Sequence, residues 1–285
     1  LSIHDARPNF GPIRIHLFPD PLADATLSIR HLNTYDEIVA CRDVQQETWG
    51  EAFVDLVPPS LLVVTQKIGG LLAGAFTESG ELVAFVYGVP GRRKGRDIHW
   101  SHMLAVRPAY RGSGIGRDLK LFQRDFVLGQ GIGVIHWTYD PLEALNANLN
   151  LNRLGAFPEE YVRDLYGDGS SSILHSTIGT DRFVMTWYLR EEDRRAYRAR
   201  FEEGGVLADL PIVNGATEIE PARAVRIEIP ANIQGVKKQS ADQARVWRQS
   251  SRIAFELYFG AGYGVSAYYQ DPESKRCFYV MARPV

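Results

Sequence analysis

The stretch Arg111-Gly112-Ser113-Gly114-Ile115-Gly116-Arg117 sets three glycines at alternating positions between two arginines. It follows an apolar run ending at Val106 and precedes Ile115, Leu119, Phe122 and Phe126, which share one helical stripe. Glycines let consecutive N–H groups converge without a Cβ in the way, and a helix start leaves its first N–H groups without internal partners. Together they make an anion-binding device suited to phosphate. Spacing excludes two phosphate motifs. A nucleoside triphosphate loop closes on Gly-Lys-Ser/Thr, whereas Gly116 is followed by Arg117 and Asp118. A dinucleotide fingerprint needs G-x-G-x-x-G, whereas the glycines here fall at 112, 114 and 116.

A third pattern fits. Arg111 to Gly116 matches R/Q-x-x-G-x-G/A, and Leu104-Ala105-Val106 followed by Pro108 supplies the lead-in. In these features the chain resembles the GNAT superfamily of acyl-CoA-dependent N-acyltransferases. The order of elements from about Ala25 to Leu189 is similar to a GNAT core. The stretches "QQETWG", "SHMLAV", "WTYDPLEALNANLNLNRLGA" and "TDRFVMTWYL" look like those of a longer GNAT subgroup.

The resemblance implies an α/β GNAT fold: a mixed, mostly antiparallel sheet, splayed at its centre and flanked by helices. It implies acetyl-CoA or another acyl-CoA, succinyl-CoA included, as acyl donor, with no metal. The backbone of Leu104, Ala105 and Val106 would bind pantetheine much as a peptide adds to a sheet edge. Arg111, Gly112, Ser113, Gly114, Ile115, Gly116 and Arg117 would hold the pyrophosphate. The Leu104 N–H would polarise the thioester carbonyl and stabilise the oxyanion. His102 stands where some members carry a catalytic histidine, and an unperturbed pKa of about 6.5 suits a base that takes a proton from an ammonium. A strand histidine that merely bonds a neighbour is the alternative, and His99 lies outside that position.

Two departures from the family pattern bear on the later helix. The usual tyrosine and asparagine positions hold Leu151 and Ala144. Asn148 and Asn152, one turn apart on a single face, are the substitutes for cofactor contacts. Tyr139 and Tyr166 are the candidates for protonating the thiolate, with buried aromatic packing as the competing role. Asp168, Asp181 and Arg182 flank a region that borders the acceptor pocket in GNAT folds, and are candidates for amino or carboxylate recognition.

These residues need elements to position them. "ATLSIRHL" reads as a strand, "TYDEIVACRDVQQETWG" as a helix ended by Gly50, and "GGLLAGAFT" and "LVAFVYGVP" as a hairpin. A basic loop, "GRRKGR", leads to a long strand from Asp97 to Val106. The segment from Gly112 to Leu128 reads as a helix, "GVIHWTYD" as a strand, "PLEALNANLNLNRLG" as a helix, and "EEYVRDLYG" and "DRFVMTWYL" as strands. The tail reads strand, helix, strand, strand, a small β-α-β-β extension. Ala244, Trp247, Ser251, Ala254 and Tyr258 form its helix's inner face, and Arg245, Arg248 and Arg252 a basic face for solvent or ion pairs. The resulting division is an irregular arm over 1–24, an acyltransferase domain over 25–190, a polar linker over 191–220 and the extension over 221–285.

Composition is that of an ordinary globular chain: 285 residues, 45% hydrophobic, 23% charged, formal net charge -2. The balance gives no nucleic-acid or membrane footprint. Cys41 and Cys277 fit no metal or redox spacing and read as reduced, buried thiols. The apolar run "SLLVVTQKIGGLLAGAF" is broken by Gln66 and Lys67, and the N-terminal stretch lacks an apolar signal core, so a cytoplasmic location is expected. The expected reaction is transfer of an acetyl or succinyl group to the primary amine of a small molecule, an amino acid among them. The alternative is a non-catalytic acyl-CoA-binding module whose tail serves as a partner or homodimer surface. Acylation of histones or ribosomal proteins is a third option, for which nothing in the sequence calls.

Overall fold

A computed structural model describes residues 27–167, 178–201 and 209–285, together with the backbone of β1 (Ile13–Ile15). The chain divides into two compact units, residues 1–135 and 136–285. In the first, β2 (Leu27–His31) leads into α1 (Tyr35–Trp49). A reciprocal capping box starts this helix: Glu37 N–H donates to the Thr34 hydroxyl at 3.2 Å, and Thr34 N–H donates to the Glu37 carboxylate at 3.3 Å. Gly50, with φ of 101°, ends it as expected. The chain continues through α2 (Pro59–Lys67), β3 (Leu71–Phe76), β4 (Leu82–Arg93), β5 (Arg96–Val106), a 3₁₀ turn at Pro108–Tyr110, and α3 (Ile115–Gly129).

Strands β1 to β5 pair consecutively and antiparallel. Ile38, Cys41, Val44 and Leu62 of α1 and α2 form one core with Leu72, Phe85, Tyr87, Met103 and Ala105. Ile115, Leu119, Phe122 and Phe126 of α3 are buried as the stripe requires. Every residue of β3 is buried, so both its faces are covered. Two stretches gain detail and one boundary changes. The apolar run beginning at Ser60 starts as a helix, α2, because Pro59 at the first position presets helical φ. The basic stretch between the two strands is the tip of a hairpin, as expected: β4 runs through Arg93, β5 starts at Arg96, and Lys94 and Gly95 turn with φ of 50° and 76°. Helix α3 begins at Ile115 rather than Gly112, because Gly112 and Gly114 sit at φ of 83° and 92°.

The second unit contains most of β6 (Val134–Tyr139), then α4 (Ala144–Ala147), a π-helical turn (Asn148–Arg153), β7 (Phe157–Val162), β8 (Arg182–Tyr188) and α5 (Glu191–Arg198). It closes with β9 (Ala224–Ile229), α6 (Ile233–Gln239), α7 (Ala241–Gly260), β10 (Gly264–Gln270) and β11 (Cys277–Ala282). Strand β8 lies between β6 and β7, and β10-β11-β9 form a second antiparallel sheet. Both units are thus α/β with mainly antiparallel pairing.

The single helix expected over Pro141 to Gly155 is instead α4 followed by a π turn, in which Leu154 N–H reaches Leu149 C=O five residues back at 2.9 Å. The stretch read as linker begins with α5, whose Tyr197 stacks on Phe157 of β7 at 4.1 Å between centroids. The tail's elements follow the expected order, with α6 added. On α7, Arg248, Arg252 and Phe255 join Ala244, Ser251, Ala254 and Tyr258 on the buried face, while Trp247 is half-buried. Cys41 and Cys277 are buried free thiols. Among the described residues no helix is long and apolar enough to cross a membrane, and no cluster of His, Cys, Asp and Glu is arranged to hold a metal.

Candidate functional site

Strand β5 carries one residue more than its partner at a single point. Tyr87 pairs with Met103 and Gly88 with Ser101, which leaves His102 as the extra residue of a β-bulge. Beyond the bulge the ladder can be read bond by bond. Arg107 N–H donates to Val83 C=O at 2.9 Å. Opposed residues in an antiparallel pair alternate between exchanging bonds and pointing away. Ala105 and Met103 are therefore bonded to Phe85 and Tyr87, while Leu104 and Val106 turn their N–H and C=O groups away from β4. The Val106 carbonyl accepts from Arg111 Nε at 3.1 Å, as that direction requires. Ala105 was expected to contribute backbone groups to a ligand. It does not, because its register commits them to β4.

His102, exposed at the bulge, sets its ring edge-on to Tyr87, with centroids 5.7 Å apart and planes at 87°. Partial screening from water by its neighbours holds its pKa below the usual 6.5, so the ring is neutral at pH 7. A neutral imidazole is the form that accepts a proton.

The glycine loop delivers the geometry its spacing implied. A Cβ at Gly112 or Gly114 would meet nothing within 4 Å, so their positive φ is what these positions need from glycine. Gly116 lies in the first turn of α3, where a Cβ would come only to ordinary contact with Leu104 Cδ2 at 3.7 Å. No side chain caps α3, which leaves the first-turn N–H groups, beginning with Ile115, facing an open, Cβ-free approach. Arg111 and Arg117 are exposed on either side. Ser113 differs from its neighbours, because its hydroxyl already donates to Tyr110 C=O at 2.7 Å. Asp118, in the same first turn, has its pKa raised by burial, with the Arg117 charge opposing. These residues fit a diphosphate and an amide-rich arm: the loop supplies convergent donors, and Leu104 turns its backbone groups away from β4.

Behind the bulge lies a polar network that the sequence did not reveal. The Lys120 ammonium, on α3 and only 3% exposed, donates to Ser101 Oγ at 2.7 Å and Gln123 Oε1 at 3.2 Å. With its oxygen so engaged, the Gln123 amide nitrogen donates to His99 Nε2 at 3.1 Å, which places the His99 proton on Nδ1. That Nδ1 has no partner among the described residues. Burial pushes Lys120 down to about 7 and, with the Lys120 charge, His99 down to about 3. The one available signal was a lysine beside Leu119 on the apolar stripe.

In the second unit the remaining candidates separate. Tyr139 is buried among aromatic rings, and Tyr279 gives its own proton to Pro141 C=O at 2.9 Å, so Tyr139 donates to Tyr279 at 3.0 Å. Burial raises the Tyr139 pKa, and its proton is committed, so the packing role replaces the acid role. Tyr166 is half-exposed, with its hydroxyl 2.8 Å from Thr138 Oγ1. Asn152 donates to Asn148 at 2.9 Å, so the two share a face although the turn is π-helical. Asp168 lies outside the described residues.

Asp181 is consumed by structure. Fully buried, it accepts Arg252 Nε and Nη2 at 2.8 and 2.6 Å, Asp164 N–H at 3.1 Å, and the Tyr161 hydroxyl. Burial pulls its pKa up, but Arg252 and Arg248 hold it below the usual carboxylate value. Asp140 is bound in turn by Arg248 Nη2 at 2.6 Å. Arg248 and Arg252, read as a solvent or ion-pair face, are thus internal ion-pair partners. Arg182 is buried, donates Nη1 to the Asp181 carbonyl at 2.8 Å, and lies over the Tyr166 ring at 5.3 Å.

Comparison with known proteins gives residues 36–148 as a match to the model of the Acetyltransferase (GNAT) family. No curated protein matches the chain. Solved structures similar to part of it include the ribosomal-protein-S18-alanine N-acetyltransferase of Escherichia coli, 19% identical, covering 57% of this chain and 94% of that one with a TM-score of 0.44. Aminoglycoside 6'-acetyltransferase type Ii is 18% identical over 57% of this chain and 97% of its own, with a TM-score of 0.45. Arylalkylamine N-acetyltransferase 2 of Aedes aegypti is 10% identical over 57% and 99%, with a TM-score of 0.43. The segment that matches the model of the Acetyltransferase (GNAT) family, residues 36–148, spans α1, the bulged strand β5 and the glycine loop that opens α3.

Proposed function

We propose that the protein is an N-acyltransferase that moves an acetyl or succinyl group from acyl-CoA to the primary amine of a small molecule, with amino acids among its acceptors. The observation that carries this reading is the backbone of Leu104, turned away from β4 next to the His102 bulge, beside the uncapped, glycine-opened start of α3. Bound acyl-CoA supplies an activated acyl carbonyl. The loop from Arg111 to Arg117 holds the pyrophosphate through backbone N–H groups and the two arginines. The outward N–H of Leu104 is positioned to stabilise negative charge on a carbonyl oxygen. His102, neutral at pH 7, accepts the proton that an attacking ammonium must lose.

The test is thiol release from acetyl-CoA and succinyl-CoA with a panel of small amines, run on the wild type and His102→Gln. Release that depends on the amine supports the reading. The His102→Gln variant should lose roughly 100-fold in kcat. Because the base acts unprotonated, the wild-type rate should fall as pH drops through a value below 6.5, and the variant should lack that limb. CoA binding without turnover on any amine would instead support the acyl-CoA-binding module, which Leu151 and Ala144 at the family's tyrosine and asparagine positions favour.

A further inference from the structure

Three arginines converge on the buried carboxylates of the second unit, and their side-on edges have different fates. The Nε–Nη2 edge of Arg252 is filled by Asp181, with bonds of 2.8 and 2.6 Å. The same edge of Arg248 is filled by the Ile178 carbonyl at 3.1 Å and Asp140 at 2.6 Å. Arg182 is 4% exposed, yet its only hydrogen bond among the described residues runs from Nη1 to the Asp181 carbonyl. Its Nε and Nη2 take no partner among the described residues and are not sealed from solvent there. We propose that this open edge of Arg182 is a binding site for the carboxylate of a small organic acid, with the Tyr166 ring as its wall.

Four observations support the assignment. A guanidinium edge presents two parallel N–H donors that match a carboxylate's two oxygens. The Tyr166 ring, 5.3 Å from the guanidinium carbon, and the Asp181 carbonyl fix its plane, so a ligand meets a preset fork. Tyr166 is itself fixed, its N–H on Thr180 Oγ1 at 3.0 Å and its hydroxyl on Thr138 at 2.8 Å. Burial lowers the Arg182 pKa although Asp140 and Asp181 lie near, so the cation is less well solvated here than in water. Arg248 and Arg252 pair with Asp140 and Asp181, so the Arg182 charge is the one left for a ligand, and a single negative charge balances it where a dianion such as phosphate would exceed it. The site itself rests on the second unit alone; its assignment to the acyl acceptor rests in addition on the proposed reaction.

The experiment titrates the whole protein with sodium acetate, acetamide and inorganic phosphate at constant ionic strength, following amide ¹H–¹⁵N shifts. Saturable shifts at Tyr166, Gly167 and Arg182 are expected with acetate, and at least about 10-fold weaker ones with acetamide, which lacks the charge. Arg182→Lys keeps the charge but loses the fork, and should weaken acetate binding roughly 10- to 100-fold. Should that variant fail to fold, Tyr166→Ala at the half-exposed wall should weaken acetate several-fold. The proposal is overturned if acetate and acetamide bind alike, if phosphate binds as tightly as acetate, or if Arg182→Lys or Tyr166→Ala retains wild-type affinity.

A kinetic arm identifies the source of the carboxylate. If the acyl acceptor brings it, Arg182→Lys raises KM for amino acids and leaves KM for the corresponding decarboxylated amines unchanged. If a separate acid brings it, acetate alters the rate without competing with the amine. Either result keeps the site, and failure of all turnover leaves the titration to decide it.

Discussion

Replacing Lys120 by methionine tests the physics of the network behind the bulge. Burial holds this amine at about 7 in the folded chain, against 10.5 when it is free in water. Between those values the unfolded chain binds the proton and the folded chain releases it, so stability rises with pH across that window. The destabilisation is complete below pH 7 and gone above pH 10.5. Its ceiling is about 5 kcal/mol, a large part of a typical domain's stability. Methionine has similar length and no charge. It leaves Ser101 Oγ and Gln123 Oε1 without the Lys120 donor, a cost of about 1–3 kcal/mol that does not vary with pH. His99, at about 3, is silent in the window.

Urea unfolding of the wild type and Lys120→Met at pH 6.5 and 9.5 separates the two terms. The variant's stability relative to wild type should be better at pH 6.5 than at 9.5 by about 3 kcal/mol. A difference that stays within about 0.5 kcal/mol between the two pH values, or one of opposite sign, refutes the reasoning. In either case the fixed offset reports what the two orphaned acceptors cost.

Other perturbations read the same structure elsewhere. Gly88→Ala places a Cβ 2.3 Å from His99 Nε2 and 2.8 Å from Trp100 C=O, and should cost about 1–3 kcal/mol in denaturant titration. Gly114→Ala meets no steric clash but must hold φ of 92°, so it should cost about 1–2 kcal/mol and weaken CoA binding by calorimetry. Asp140→Asn removes the carboxylate bonded to Arg248, 3% exposed, and leaves Asp181 at 3.9 Å as its remaining ion-pair partner, so it should cost about 3 kcal/mol, visible as a lower Tm. Removing Glu191, which pairs with Arg194 and Arg195 on the exposed α5, should leave the Tm unchanged, because water and salt screen an exposed pair.

The elements easiest to read were those whose signals are local. Thr34 and Gly50 bracket α1, the stripe from Ile115 to Phe126 defines α3, and alternating apolar residues define β9. The π turn escaped detection, because a five-residue hydrogen-bond step leaves no distinct apolar period. Helix α2 was left unassigned, since a short apolar run such as Leu61 to Val64 serves a buried strand and a helix equally. Among site residues, the glycines were legible because positive φ is a property of a residue type. The fate of Asp181 was not, because its partners Arg252 and Tyr161 lie 71 and 20 positions away.

What the sequence determined by itself was the anion-binding loop and the resemblance to the GNAT family that residues 36–148 carry. Both rest on glycines, arginines and an amphipathic stripe whose geometry follows from covalent structure and short-range periodicity. Tertiary structure decided which functional groups remain free. Register on β4 turns Leu104 and Val106 outward and engages Ala105. A single extra residue exposes His102 at the bulge. Packing of α7 spends the Nε–Nη2 edges of Arg248 and Arg252 on internal partners and leaves that of Arg182 open. A hydrogen-bonding group's availability is set by what long-range folding brings within about 3 Å of it, and residue type carries no record of that.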